Sequence, residues 1–168
     1  MNILVTGCAG FIGFHLCNSL LNESKFKVFG IDNLNDYYDI NLKKDRLKIL
    51  KKKNKFNFKK LDIKKLTKLN SYFKKNKFDY VLHLAAQAGV RYSIENPKNY
   101  FENNIQGFFH MIDLSRKYKI KHFIFASSSS VYGKTNKFPI SEDFDITKPL
   151  SFYGASKSCN EIIAHSYS

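Results

Sequence analysis

The chain has little that would tie it to a membrane, a disulfide framework or a metal. No stretch of its 168 residues approaches the ~20 apolar residues that span a bilayer. No basic segment precedes an apolar one at the N-terminus, as an export leader would require. The cysteines are Cys8, Cys17 and Cys159, scattered and odd in number; this excludes a disulfide scaffold and points to a reducing, cytoplasmic setting. CxxC, HExxH and His/Cys clusters are absent, so no metal site is expected. The five histidines are isolated, and His83 lies in an apolar run, which suits structural roles. Arginine is scarce: Arg46, Arg91 and Arg116 do not cluster, and the net charge of +14 is almost entirely lysine, much of it within 43–77. Nucleic-acid readers usually set arginine beside exposed aromatics. The lysines therefore read as a solvated basic face, with no nucleic-acid partner and no membrane; such a surface could also attract an anionic substrate.

What is present begins at the N-terminus. Residues 2–6 form a short apolar run with β-branched members, a buried first strand. Thr6-Gly7-Cys8-Ala9-Gly10-Phe11-Ile12-Gly13 follows, and then a helical pattern with Ile12, Leu16 and Leu20 on one face. Strand, glycine turn and helix form the context of a dinucleotide loop. Gly7 permits the tight turn, Gly10 lets backbone approach a pyrophosphate, and Gly13 lets the helix pack on the strand. The helix start offers unpaired N–H groups to phosphate. The second strand, from Lys27 to Ile31, ends in Asp32, whose carboxylate can accept both ribose hydroxyls and would repel a 2′-phosphate; no arginine follows it directly. The cofactor expected is NAD.

Helices and strands then alternate. Residues 41–52 read as a helix with Leu42, Leu47 and Leu50 as apolar positions, 56–60 as a strand, and Leu66, Leu69 and Phe73 mark the next helix. Residues 80–85 form a nearly continuous apolar strand, Phe101, Ile105, Phe108 and Ile112 a helix face, and 122–126 a fifth strand. Alternation of this kind predicts a doubly wound parallel α/β sheet covered on both faces, one domain over residues 1–168. Ligands of such sheets sit beyond the carboxyl ends of the strands. Those ends carry Asp32-Asn33, Asp62-Ile63, Ala85-Ala86-Gln87 and Ser127–Ser130.

Near the C-terminus, Tyr153-Gly154-Ala155-Ser156-Lys157 puts a phenol and an ammonium at i and i+4, on one face if helical. Pro149 and Ser151 supply start signals for that helix. A phenol holds its proton too firmly to be a base at neutral pH; a neighbouring ammonium favours the phenolate. Tyr153 can then take a proton from a substrate hydroxyl as hydride leaves the same carbon. Lys157 can also hold the nicotinamide ribose. Ser128, just past the fifth strand, can hydrogen-bond the reacting oxygen.

These motifs, in this order, resemble the extended short-chain dehydrogenase/reductase family, and within it the nucleotide-sugar epimerases. The Gly-x-x-Gly-x-x-Gly spacing and Tyr-x-x-x-Lys mark the superfamily. The segments 30–39 (Gly-Ile-Asp-Asn-Leu-Asn-Asp-Tyr-Tyr-Asp), 83–93 (His-Leu-Ala-Ala-Gln-Ala-Gly-Val-Arg-Tyr-Ser) and 126–133 (Ala-Ser-Ser-Ser-Ser-Val-Tyr-Gly) are similar to the UDP-glucuronate 4-epimerase group. The resemblance implies NAD held by Gly7, Gly10, Phe11, Ile12, Gly13, Asp32 and Asn33, with Asp62 and Ile63 at adenine, and Leu84, Ala85 and Ala86 lining the cofactor. It places Asn103, Tyr153 and Lys157 towards the nicotinamide end. It implies a UDP-sugar substrate near Arg91, Ser128, Ser129 and Tyr153, with Ser128, Tyr153 and Lys157 as the catalytic set. C4 hydride would leave and return through a 4-keto sugar. A nucleotide-sugar dehydratase would be expected to carry an acid pair where this chain has Ser128 and Ser129. UDP-glucose 4-epimerase, UDP-glucuronate decarboxylase and a non-catalytic NAD-binding remnant remain as alternatives. Family members are longer, homodimeric, and bind the nucleotide sugar through a C-terminal half, so this chain reads as an N-terminal fragment whose isolated activity is not expected to be robust.

Overall fold

The computed structural model describes residues 1–168. The chain clusters into two compact units, residues 1–85 with 110–125, and residues 86–109 with 126–168. The first unit holds the whole sheet. Its strands are β1 (Asn2–Thr6), β2 (Lys27–Asp32), β3 (Phe56–Lys60), β4 (Tyr80–His83) and β5 (His122–Phe125), ordered β3-β2-β1-β4-β5 and all parallel. The chain winds outward from β1 through β2 to β3, then crosses to β4 and β5. The strand order therefore switches between β1 and β4, and crevices for ligands open at such a switch.

Alternating side chains feed two cores, one on each sheet face. Leu4, Phe29, Ile31 and Val81 join Leu69 and Phe73 of α3 (Leu66–Asn76), and Met111 and Leu114 of α6 (Gly107–Lys117). On the other face Ile3, Val5 and Val28 meet Cys17 of α1 (Phe11–Leu20), and Leu47 and Leu50 of α2 (Ile40–Lys51). The expected fold class is the observed one, with three local corrections. Ile12 is exposed, and α1 instead buries Gly13 and Cys17, because its first turn starts hard against the loop. Leu42 is exposed, and its place on the buried face of α2 is taken by Lys43. The sheet is not covered throughout: β5 is an edge strand whose Ile124 is half exposed. No helix is long and apolar enough to cross a membrane.

The second unit is built from α4 (Val90–Glu95), α5 (Pro97–Tyr100), a π-helix (Phe101–Gln106), the start of α6, a 3₁₀ turn (Ser129–Tyr132) and α7 (Phe152–Ser166). Ser151 caps α7, its hydroxyl accepting from the Gly154 N–H at 3.0 Å, so the helix begins one residue before Tyr153. Gly154 is required here: a Cβ would lie 2.6 Å from the Ser130 carbonyl oxygen, where α7 passes the 3₁₀ turn.

Candidate functional site

In the first unit the expected cofactor residues converge on the carboxyl ends of β1, β2 and β4. Gly7 turns the chain at φ +69°, a conformation that L side chains adopt rarely. Its N–H donates to the Ile31 carbonyl at 2.8 Å, and its carbonyl accepts from Gly10 at 3.0 Å. The added Cβ would also press on the Ala85 backbone, so the loop fits closely over the end of β4. Gly10 caps α1 without a side-chain hydrogen bond, and the first turn carries no acid. The N–H groups of the first turn thus point out of the helix without intrahelical partners, with the positive end of the helix dipole behind them. Phe11 and Ile12 flank this opening and are exposed.

Gly13 is where the helix crosses the loop. A Cβ there would collide with the Gly7 carbonyl. Gly13→Ala is expected to cost ~1–3 kcal/mol through overpacking. Urea unfolding of the variant beside the wild type checks this, and an unchanged midpoint would show that the contact is soft.

Asp32 is buried and held on two sides: Oδ2 accepts from the Ala9 N–H at 3.1 Å and Oδ1 from the Leu34 N–H at 2.8 Å. An ionised carboxylate has about four acceptor sites, so two remain for hydroxyl donors. Asn33 reaches Asp62, Nδ2 to Oδ2, at 3.4 Å, while Asp62 Oδ1 caps the Lys64 N–H at 2.8 Å. Ile63 is buried, and its carbonyl meets His110 Nδ1 at 3.0 Å. Leu84 and Ala85 donate their N–H groups to Thr6 Oγ1 at 3.1 and 2.9 Å. The same hydroxyl meets His83 Nδ1 at 2.9 Å, a structural use of that histidine.

Sequence reasoning missed two cations here. Lys43, assigned to a solvated face, is 5% exposed. Its ammonium lies 4.0 Å from Asp32 Oδ1 and donates to the Asn35 carbonyl at 3.0 Å and to Asn35 Oδ1. Burial pulls its pKa down, against the pull of Asp32 upward. Arg46, treated as isolated, donates to the Ala9 carbonyl at 3.2 Å and to the Tyr38 hydroxyl at 3.1 Å. Lys43, Leu47 and Leu50 stand at i, i+4 and i+7, and that spacing was the available signal. Burial raises the Cys8 thiol far above its ordinary value and Cys17 to about 12, so neither is a nucleophile.

The second unit carries the remaining predicted residues. Tyr153 and Lys157 are one turn apart on α7. Lys157 is buried, and its ammonium donates to the Ala126 carbonyl at 2.9 Å. Burial lowers its pKa to about 8. The Tyr153 ring meets Tyr100 edge-on at 6.0 Å. Ser128 caps the 3₁₀ turn, its hydroxyl accepting from the Ser130 N–H and donating to Ser130 Oγ, each at 3.2 Å. Ser128 and Tyr153 make no hydrogen bond with each other, and neither side chain is fully buried. Ser129 and Arg91 are exposed, Arg91 on α4. Asn103 is buried on the π-helix and donates to the Asn99 carbonyl at 2.8 Å and to Asn99 Oδ1 at 2.5 Å. Its neighbour Asn104, which sequence reasoning did not single out, is buried more deeply.

A family model described as GDP-mannose 4,6 dehydratase matches residues 4–168. Protein CapI of Staphylococcus aureus is 48% identical over 168 residues, 100% of this chain and 50% of that protein. A UDP-glucuronate 4-epimerase of Thermodesulfobacterium geofontis is 43% identical over 164 residues, 98% of this chain and 50% of that one. A solved UDP-glucuronic acid 4-epimerase from Bacillus cereus, in complex with UDP-glucuronic acid and NAD, superposes with a TM-score of 0.92 at 39% identity, covering 99% of this chain and 52% of that one. The chain spans about half the length of the curated relatives it matches.

Proposed function

Since the chain belongs to the family described as GDP-mannose 4,6 dehydratase, we propose that it works as an NAD-dependent nucleotide-sugar 4-epimerase, interconverting UDP-glucuronate and UDP-galacturonate. The observation that carries the chemistry is the buried Lys157 ammonium one helical turn from Tyr153. The likeness to two UDP-glucuronate 4-epimerases supports the choice of sugar. That likeness outweighs the word dehydratase in the family's description, because Ser128 and Ser129 stand where a dehydratase would be expected to carry acids.

The loop fits NAD. The first turn of α1 offers N–H groups to a pyrophosphate with no carboxylate in the way. Asp32 keeps acceptor sites for a ribose, and Lys43 limits its net charge. Asn33, Asp62 and Ile63 serve the adenine side, and Leu84, Ala85 and Ala86 the cofactor's inner wall. When bound, NAD would supply the acceptor for the C4 hydride and the donor that returns it. Tyr153, as phenolate, removes the C4 hydroxyl proton and later returns it. Lys157 favours that phenolate by its charge and, with Asn103, orients the nicotinamide ribose. Ser128 donates to the C4 oxygen, and Ser129 and Arg91 face the sugar and its carboxylate. Residues 1–168 form the cofactor-binding domain. The working protein is a cytoplasmic homodimer that binds neither membrane nor nucleic acid.

The test is product analysis with the full-length protein. Proton NMR of UDP-glucuronate incubated with it is expected to show C4 inversion with the carboxylate retained. Loss of CO2 would make it a decarboxylase and loss of water a dehydratase. Turnover of UDP-glucose in preference to UDP-glucuronate would overturn the choice of sugar.

A further inference from the structure

We propose that Glu161 is a positioning residue for Ser128, acting through the Ser127 hydroxyl; the inference rests on the epimerase reading above and on the place it gives Ser128 at the C4 oxygen. Tyr153, Lys157 and Glu161 stand at i, i+4 and i+8 on α7 and so share one helix face. The lysine and the glutamate carry opposite charges one turn apart, a spacing at which helix side chains commonly pair. They form no ion pair with each other. Each reaches instead the chain that leaves β5. The Lys157 ammonium donates to the Ala126 carbonyl at 2.9 Å, and Glu161 Oε1 accepts from the Ser127 hydroxyl. The next residue in the chain is Ser128.

The segment is thus tied to α7 at two successive residues, and two ties set direction as well as distance. A single bond at Ala126 would let the chain swing about that point; the second, at Ser127, removes the swing. Beyond Ser128 the 3₁₀ turn lies against the same helix, where the Ser130 carbonyl oxygen leaves no room for a Cβ on Gly154. Ser128 is therefore bracketed on both sides, and its own hydroxyl is engaged only by Ser130. Glu161 is half-buried and Ser127 exposed, and a hydrogen bond open to water adds little to stability. Its effect is on geometry: it holds the serine that meets the C4 oxygen in a fixed place relative to Tyr153, and rate depends steeply on such placement.

The experiment uses the full-length protein with Glu161→Ala, Glu161→Gln, Ser127→Ala, Ser128→Ala and the Glu161→Ala/Ser128→Ala double variant. Glu161→Ala is expected to lower kcat ~10-fold, while KM and retained cofactor change less than ~3-fold. Ser127→Ala should give the same loss, since it removes the other end of the same bond. Glu161→Gln keeps an acceptor for the Ser127 hydroxyl and should stay within ~3-fold of wild type. On the Ser128→Ala background, adding Glu161→Ala should cost less than ~2-fold, because the side chain it positions is already gone. A role in general stability would subtract the same factor on either background. Wild-type kcat in Glu161→Ala, a Glu161→Gln protein no faster than Glu161→Ala, or full additivity with Ser128→Ala overturns the proposal. If the wild type itself shows no C4 inversion of UDP-glucuronate, the epimerase reading fails instead, and amide exchange decides the role of Glu161. Faster exchange confined to 127–131 in Glu161→Ala supports positioning, and unchanged exchange there overturns it.

Discussion

Lys157→Met is expected to give a protein that is more stable at neutral pH and catalytically inert. Lys157 is 5% exposed, and burial brings its pKa from the usual 10.5 down to about 8. A fall of that size means the charged form is disfavoured in the folded state by about 3 kcal/mol. Methionine keeps the linear apolar stem and removes the charge. It also removes the hydrogen bond to the Ala126 carbonyl, worth about 1 kcal/mol, so the net gain at pH 7 is about 2 kcal/mol. The sign follows from proton binding. Between pH 8 and 10.5 the unfolded chain binds more protons at this lysine than the folded one, so wild-type stability rises with pH across that window. The methionine variant lacks this rise. Its advantage is therefore full below pH 8, shrinks through the window, and is gone well above 10.5, where the wild-type amine is neutral in both states. Urea unfolding of both proteins at pH 7 and pH 10 measures it; a variant less stable at pH 7, or a gap indifferent to pH, defeats the account. Loss of the ammonium should also lower turnover ~10²–10⁴-fold. A lysine held at such cost is expected where its charge is used.

The sheet could be read from the sequence because β1, β2 and β4 are short apolar runs that end in a turn or polar residue, and the helices between them show an apolar period over much of their length. Asn2–Thr6 and Phe56–Lys60 fall where the pattern put them. The misses have physical causes. Lys43 was hidden by composition: in a chain so rich in lysine, one more lysine reads as surface, although its spacing to Leu47 and Leu50 places it on the core face. Ile12 was assigned inward on period alone, but a helix beginning at a glycine loop turns its first side chains away from the strand; Leu42 was assigned inward as an apolar residue, whereas the buried face of α2 runs through Lys43, Leu47 and Leu50.

Asn104 was hidden by a change of period. An α-helical reading through 101–112 selects Phe101, Ile105, Phe108 and Ile112, whereas Phe101 is exposed and the buried positions are Tyr100, Asn103, Asn104, Gly107, Phe108, His110, Met111 and Ile112. The π turn at Phe101–Gln106 inserts a residue and shifts the phase. No side-chain pattern announces such a shift, and adjacent asparagines inside an otherwise apolar helix were the only sign of it.

Tyr153→Phe is the complementary experiment, because it should remove chemistry and leave nearly everything else. The hydroxyl is a small part of a half-buried side chain, and the ring contact with Tyr100 survives the substitution. Ser156 bonds the Tyr153 backbone carbonyl, which phenylalanine retains. Ser151 continues to cap α7, and Lys157 continues to bond Ala126. Stability is therefore expected within ~0.5 kcal/mol of wild type. What disappears is the group that exchanges a proton with the C4 oxygen, and kcat should fall ~10³–10⁴-fold. KM for the nucleotide sugar and cofactor retention should stay within a few-fold, since the lost interaction belongs to the transition state. Adding Ser128→Ala to Tyr153→Phe should cost much less than Ser128→Ala does alone, because the two hydroxyls serve one oxygen and neither works fully without the other. Kinetics of the two single variants and the double, with NMR detection of C4 inversion, decide it. Full additivity would separate the serine from the reacting oxygen and leave it as the cap of the 3₁₀ turn. A Tyr153→Phe protein that still turns over at wild-type rate would move the acid–base role off α7.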